Sequence, residues 1–459
     1  MKFTKMLTAI TEILNKDSDV RMDVCLTSQM AAQIELWTAL YENKTPWVDR
    51  KEVFSANLAP AIASELARLV TLEMKSEITG GNAAGYLNEQ YHRKVLKDIR
   101  RYVEYGCAKG GLIMKPYLTQ QGVEVQFVQA DCFFPISFDS SGRITQCVFT
   151  EQFRKGEKIY TRLEVHSLQG ERIHIMNRAF VATNDYSLGS EVAINAIERW
   201  SEIAPEAVLE GAGRLLFGYF KIPLANADDS DSPLGVSVYS RAVDLIKEAD
   251  RRYSNICWEY EGTQLAVHVA SSLLEYDKEN NRWIYPAGKE RLYRTVEYNT
   301  GATDKPFIDT FSPEIRDTAL FNGFNNQLKL IEFNCSLAYG TLSDPQNIDK
   351  TATEIKTSKQ RSYVLVSDTQ MALQDALEDL VYAMNFWAVL GGLVPVGNDY
   401  EISFDWDDSV IVDAELEREQ DRKDVAMGVL NLWEYRMKWM GETEEEAKAN
   451  LPEPPLVEE

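Results

Sequence analysis

Residues 349–387 read DKTATEIKTSKQRSYVLVSDTQMALQDALEDLVYAMNFW. The stretch contains neither Pro nor Gly, so it is predicted to form one helix, far longer than the usual three turns. At about 1.5 Å per residue it would reach about 60 Å. From Val366 onward, Leu373, Leu377, Leu380, Met384 and Trp387 recur at spacings of four and three, the pattern of a buried stripe. The first half is polar and carries Lys350, Lys356, Lys359 and Arg361. Between the halves, Val364-Leu365-Val366 followed by Ser367-Asp368 allows a new cap and a kink. The polar half is read either as a surface end or as a strut facing a channel or a neighbouring subunit.

Immediately before this helix lies AYGTLSDPQNI, residues 338–348, in which Gly340 and Pro345 interrupt any helix. Two further helices are expected upstream. One starts at Ser232-Pro233 and carries Tyr239, Val243, Ile246, Ala249, Tyr253, Ile256 and Tyr260 on one face; the other starts at Ser312-Pro313 with Leu320, Phe324, Leu328, Ile331 and Cys335. Gly323 within the second suggests close approach of another backbone. About fifty residues of short strands separate the two, with a hairpin around Asn280-Asn281. Helical hairpins normally close in a few residues, so a small β module sits at the tip of this one.

Further out, residues 1–107 read as helical, with one helix predicted from Tyr86 to Tyr105. Residues 112–180 alternate with period two between Gly-containing turns and read as one antiparallel meander. Together they make an α+β domain of about 200 residues. Downstream, EISFDWDDSVIV (401–412) reads as a strand, Asp413 as the cap of a helix running to Met440, and Thr443 with Glu446 as a capping box for a short last helix.

The length of 459 residues exceeds one comfortable core and predicts two or three domains. No run of 18 apolar residues occurs, so no membrane span is expected, and the amphipathic N-terminus lacks a secretory core, which predicts a protein made in a cytoplasm. The six cysteines (25, 107, 132, 147, 257, 335) form no C-x-x-C pair and read as free thiols, while the four histidines lack ligand spacing. Phosphate-cradling, nucleophile-elbow and kinase motifs are absent, so no cofactor, metal or catalytic residue is expected. Acid pairs such as Asp405, Asp407 and Asp408 read as solvated surface. The net charge is −23, and residues 401–459 hold 18 acidic against 6 basic residues. Such a surface repels nucleic acid and excludes tight non-specific DNA binding.

Four passages carry a resemblance: Trp37, Tyr41 and Trp47 with IASELARLV; PLGVSVYSRAVDLIKEAD from Pro233; TATEI at 351–355; and WEYRMKWMGETEEEA near the end. In this order the chain resembles the portal (head-to-tail connector) proteins of tailed bacteriophages. The resemblance implies a portal-like α+β subunit: a wing over 1–231, stem helices at 232–261 and 312–336, a β clip over 262–311, and a tunnel loop over 337–348. A long wing-crossing helix with its return to the wing occupies 349–400, and a wing strand with a short helical crown occupies 401–459. The tunnel loop would present Leu337, Ala338, Tyr339, Gly340, Thr341, Leu342 and Ser343; Lys350, Lys356 and Lys359 would face DNA; and Trp283, Ile284 and Tyr285 of the clip would dock a partner.

The same resemblance implies a dodecameric ring at the capsid vertex of the virion, assembled in the host bacterial cytoplasm. Double-stranded DNA would pass through it during packaging and ejection. The implied partners are further copies of itself, the large terminase, capsid or scaffold proteins and a head-tail adaptor, and the portal itself would catalyse nothing. From the residues alone two alternatives stand beside this: a nucleic-acid-processing enzyme with an unrecognised carboxylate site, and another virion adaptor protein.

Overall fold

The computed structural model describes residues 2–16, 24–72, 74–230, 232–270, 274–284, 292–296, 308–344, 352–397, 399–406 and 414–451. The chain opens with α1 (Phe3–Lys16), α2 (Ser28–Tyr41) and α3 (Leu58–Thr71). The hydroxyl of Thr27 accepts the Met30 amide at 3.1 Å and caps α2. Three elements follow: strand β1 (Met74–Gly80), then α4 (Ala84–Lys94) and α5 (Ile99–Lys109). The expectation of helix throughout 1–107 is therefore corrected at β1, and the single helix over 86–105 is split by a tight turn at Leu96–Asp98.

The strand region holds β2 (Gly111–Thr119), β3 (Gly122–Gln129), β4 (Phe133–Phe138), β5 (Ile144–Lys155), β6 (Lys158–Gln169), β7 (Arg172–Ala182), β8 (Ser190–Val192), β9 (Glu206–Glu210) and β10 (Gly218–Lys221). It is not one meander. β4-β5-β6-β7-β8 form an antiparallel sheet with β9 added on β7, whereas β2 and β3 belong to a second sheet in the order β10-β2-β3. The alternation that reads as a single meander is real in each strand, but the chain turns out of one sheet into the other between Gln129 and Phe133.

After β10 the chain runs through residues 232–238 without helix, bending at Leu234 and turning from Val238, then forms α6 (Val243–Gly262). The Ser232-Pro233 start is thus corrected by about ten residues. Residues 234–239 are all buried, and the Val238 amide donates to the Cys107 carbonyl at 3.0 Å. Gly235 lies so close to Gly110 that a Cβ would sit 2.2 Å from its carbonyl oxygen. Long-range burial thus outweighs a locally good cap.

Beyond α6 come β11 (Ala266–Ala270), β12 (Glu275–Asp277), β13 (Arg282–Ile284), β14 (Tyr293–Val296) and β15 (Ile308–Phe311). β12 and β13 form the expected hairpin, with Glu275 opposite Ile284. β11 sits between β14, parallel to it, and β15, antiparallel.

α7 (Asp317–Asn334) starts five residues later than Ser312-Pro313 predicts. Glu259 of α6 explains the delay: it accepts the Arg316 amide at 3.2 Å and grips its guanidinium at 3.0 and 2.6 Å, keeping the chain out of helix up to that point. Gly323 meets no second backbone; its carbonyl accepts the Arg252 guanidinium at 3.0 Å.

α8 (Ala352–Leu390) runs unbroken through Ser367 and Asp368, so no second cap forms there. Instead the Thr369 hydroxyl bonds back to the Leu365 carbonyl. Its predicted stripe is buried at Leu373, Leu377, Leu380 and Met384 in the main core, where it meets α3, β2 and β10. At the crossing with β10, a Cβ on Gly218 would lie 2.0 Å from the Ala376 carbonyl oxygen of α8. Gly218→Ala is therefore expected to cost at least about 1–3 kcal/mol, read as a lowered thermal midpoint against wild type.

The chain ends with β16 (Tyr400–Trp406), α9 (Ala414–Ala426), α10 (Leu432–Met440) and α11 (Glu444–Ala449). β16 pairs antiparallel with β1, Met74 opposite Trp406 and Gly80 opposite Tyr400. The strand expected to Val412 is described only to Trp406, and the predicted cap Asp413 lies outside the described residues. The helix predicted to run to Met440 is divided: α10 has its own cap at Asn431, in a capping box with Glu434. Gly441 ends α10 in the left-handed region, and Thr443 with Glu446 caps α11 as expected. Among the described residues no helix is long and apolar enough to cross a membrane.

Candidate functional site

The loop between α7 and α8 is built around one carboxylate. Glu332, in the last turn of α7, is fully buried. Its Oε1 accepts the backbone amides of Gly340 at 3.1 Å, Leu342 at 2.6 Å and Ser343 at 2.8 Å, and its Oε2 accepts the Ser343 hydroxyl at 2.8 Å. Two turns of helix away on the same face, Asn325 Oδ1 accepts the Asp344 amide at 2.7 Å. A buried charge is tolerated only when fully hydrogen-bonded, and here the loop backbone supplies the donors. The loop and the carboxylate therefore stabilise one another.

The start of the loop is equally constrained. Ser336 takes the left-handed conformation (φ 55°), the Leu337 amide returns to the Glu332 carbonyl at 2.9 Å, and the Ser336 carbonyl accepts the Ser362 hydroxyl of α8 at 3.3 Å. Arg361 of α8 lays its guanidinium over Phe333 at 4.5 Å and Tyr339 at 5.9 Å. α7, the loop and α8 are joined by these contacts.

Of the loop residues singled out from sequence, Leu337 and Ser343 are buried in the chain's own interior, while Ala338, Tyr339, Gly340, Thr341 and Leu342 are half-buried. Lys350 lies outside the described residues. Lys356 and Lys359 fall in α8, but their side chains are likewise outside the description. In the β module, Trp283 packs edge-on against Tyr276 of its own hairpin at 4.8 Å, Ile284 is exposed, and Tyr285 lies outside the described residues. Sequence reasoning missed Glu332 and Asn325, and it placed Arg361 only among the charges of the polar half of α8. A signal for the first existed: Glu332 follows Leu328 by four and precedes Cys335 by three, so it occupies a place in the apolar stripe.

A second charged cluster joins β2 to β6. Glu164 meets Lys115 at 2.7 Å, Arg162 at 3.1 Å and His166 Nε2 at 2.7 Å, all nearly buried. Arg162 continues to Glu151 at 3.3 Å, which also holds Arg199 at 2.8 Å. Burial opposes ionisation of Glu164, but Lys115, the His166 hydrogen bond and Arg162 outweigh it and hold its pKa well below the ordinary 4.5. Burial lowers His166 below 6.5, against the pull of Glu164. The adjoining cavity of about 110 Å³ is lined also by Ile173, Ile175, Leu209, Leu216 and Trp387. A carboxylate matched by two cations and a histidine hydrogen bond between two sheets acts as a cross-brace.

The thiols are protonated at neutral pH where burial is strong: Cys132 is pushed up to about 11 and Cys335 to about 12. Among the described residues no group of His, Cys, Asp and Glu is placed to hold a metal ion.

A family model described as "Phage portal protein, SPP1 Gp6-like" matches residues 34–446, most of the chain. Among solved structures, a chain in "Virion of native gene transfer agent (GTA) particle" is similar at 10% identity and TM-score 0.47, covering 95% of this chain and 99% of that one. A chain in "Neck of native GTA particle computed with C12 symmetry" is similar at 11% identity and TM-score 0.46, covering 93% and 98%. No individually curated protein matches significantly.

Proposed function

We propose, since this chain belongs to the phage portal protein family of the SPP1 Gp6-like kind, that it is one subunit of a dodecameric ring at the capsid vertex through which double-stranded DNA is packaged and ejected. The family's role is structural, in the virion at the head-to-tail connection. In this reading the large terminase docks during packaging, a head-tail adaptor replaces it, and capsid or scaffold proteins receive the ring during assembly in the host cytoplasm. α6 and α7 serve as the stem, the β module between them as the clip that meets the terminase, and residues 337–348 as the loop nearest the DNA.

The observation that carries the reading is the match over residues 34–446. The net charge of −23 agrees with it. A wall that DNA must slide past gains nothing from binding phosphates, since every cation neutralising a phosphate adds salt-dependent affinity. The Glu332-centred loop agrees too, because a constriction works only if its backbone keeps its shape.

The test has two readouts. Purified wild type should run as a particle many times 52.2 kDa, and images should display a ring. Inserting a few bulky residues between Gly340 and Leu342 should leave the ring intact and stop DNA packaging into particles. A 52.2 kDa species in solution, or a ring with this loop on its outer surface, would sink the proposal.

A further inference from the structure

The three C-terminal helices pair most of their cations with acids. Arg436 meets Glu442 at 2.6 Å, Lys438 meets Asp421 at 2.8 Å, and Lys448 meets Glu444. Arg418 and Arg422, one turn apart on α9, meet no carboxylate among the described residues. Both instead turn an Nε–H onto one neutral acceptor, the hydroxyl oxygen of Tyr435 in α10, at 3.2 and 3.0 Å. Tyr435 is only 6% exposed, so that oxygen is fixed within the helix cluster. Arg418 also lies over the Trp439 ring at 5.9 Å, and the Trp439 indole donates to Asp421 at 2.8 Å.

Two like charges that share one uncharged acceptor repel each other. A guanidinium with unfilled Nη donors ordinarily meets a carboxylate or a phosphate. The phenol adds to the imbalance. Its oxygen takes two N–H groups, while its own O–H hydrogen has no acceptor among the described residues. The three groups therefore offer a newcomer only donors. The local field favours negative charge: the Arg418 hydrogen bond, opposed by burial and helped by Arg422, draws the Tyr435 pKa below its ordinary 10.0.

We propose that Arg418, Arg422 and Tyr435 form a binding site for a phosphate group. The donor set selects the ligand. A carboxylate has two oxygens and fills one guanidinium fork, whereas a tetrahedral phosphate presents oxygens to two forks and a hydroxyl together. An acidic peptide is disfavoured further, because residues 414–451 hold 10 acidic against 6 basic residues, among them Glu419 and Asp424 on α9 itself. Bound phosphate neutralises the two facing charges and ties α9 to α10. It can arrive free or as part of a DNA backbone, and the experiment separates the two. The inference does not depend on the ring reading.

The experiment is equilibrium dialysis of the full-length protein against radiolabelled inorganic phosphate in about 0.15 M NaCl, where charges further apart than about 8 Å are screened. Wild type should bind one phosphate per chain. Arg418→Gln and Arg422→Gln should each weaken binding roughly tenfold or more, the worth of a lost charge-assisted bond, with an unchanged circular-dichroism spectrum. Arg422→Lys keeps the charge but loses the fork; it should weaken binding likewise and serves if a Gln variant misfolds. Arg154→Gln, in the surface pair of β5 with Asp185, should bind like wild type. Unlabelled sulfate, also tetrahedral, should displace the label, and acetate at the same concentration should not. A blunt DNA duplex without terminal phosphates that displaces the label assigns the site to backbone phosphate; one that does not assigns it to free phosphate. No saturable binding by wild type, wild-type binding by the Arg418 and Arg422 variants, or displacement by acetate overturns the inference and leaves the ring reading untouched.

Discussion

Glu164→Gln should lower the unfolding free energy by about 3–5 kcal/mol, because it leaves Lys115 charged and buried without its partner and takes from Arg162 one of its two carboxylates, Glu151 being the other. Urea unfolding should shift to a lower midpoint with an unchanged slope. A hydrophobic replacement of Glu164 and Lys115 together should cost much less than either single change, since it removes the uncompensated charge. The pH profile gives a second check. Glu164 has its folded pKa depressed, so its contribution is complete above the ordinary value of 4.5 and is lost as pH falls through the lower folded value. His166 is held below 6.5, so the unfolded chain takes up a proton first and stability begins to fall as pH drops below 6.5. Wild type should lose stability on acidification in both windows, and Glu164→Gln should lack the lower one. An unchanged midpoint in the single variant would show that the cross-brace contributes nothing.

Glu332→Ala should release the loop. Removing the carboxylate strips the partner from the Leu342 and Ser343 amides and the Ser343 hydroxyl and leaves the Gly340 amide only the Ser343 oxygen at 3.2 Å, and each buried donor left unsatisfied costs about 1–3 kcal/mol. Loop residues 338–342 are only half-buried, so local opening is an easier escape than global unfolding. The expected result is rapid chymotryptic cleavage after Tyr339 in the variant and protection in wild type, with a modest fall in the global melt. Rings should still form, because Glu332 is buried within its own subunit, while DNA packaging should fail as the loop loses its shape. Equal protection of the two proteins would show that the loop is held by something else.

These contacts also mark how far the sequence could be read. Long periodic segments were legible: α8 and its stripe, the alternation of β5 to β7, and the hairpin at Asn280-Asn281 rest on local pattern and turn chemistry. Start signals were less so. Ser232-Pro233 and Ser312-Pro313 both look like caps, yet distant partners keep the chain out of helix at each: Cys107 and Gly110 at the first, Glu259 at the second. β1 was illegible because its partner lies more than 300 residues away, and a strand with a single neighbour shows little of its own. The loop residues were named from resemblance, whereas the carboxylate that shapes them sits inside an apolar repeat, where only three-dimensional contact identifies its purpose.

The pairing of β1 with β16 has a consequence for how the chain is made. At about 5–20 residues per second, Trp406 leaves the ribosome roughly 15–70 s after Met74, its opposite number. Throughout that interval the edge of β1 has no strand to close it, and open edges invite pairing with foreign chains. Among the described residues the first strand thus waits for the last. A polypeptide terminated before Tyr400 lacks this closure, so translation through Trp406 becomes a checkpoint that keeps shorter fragments from competing with finished subunits.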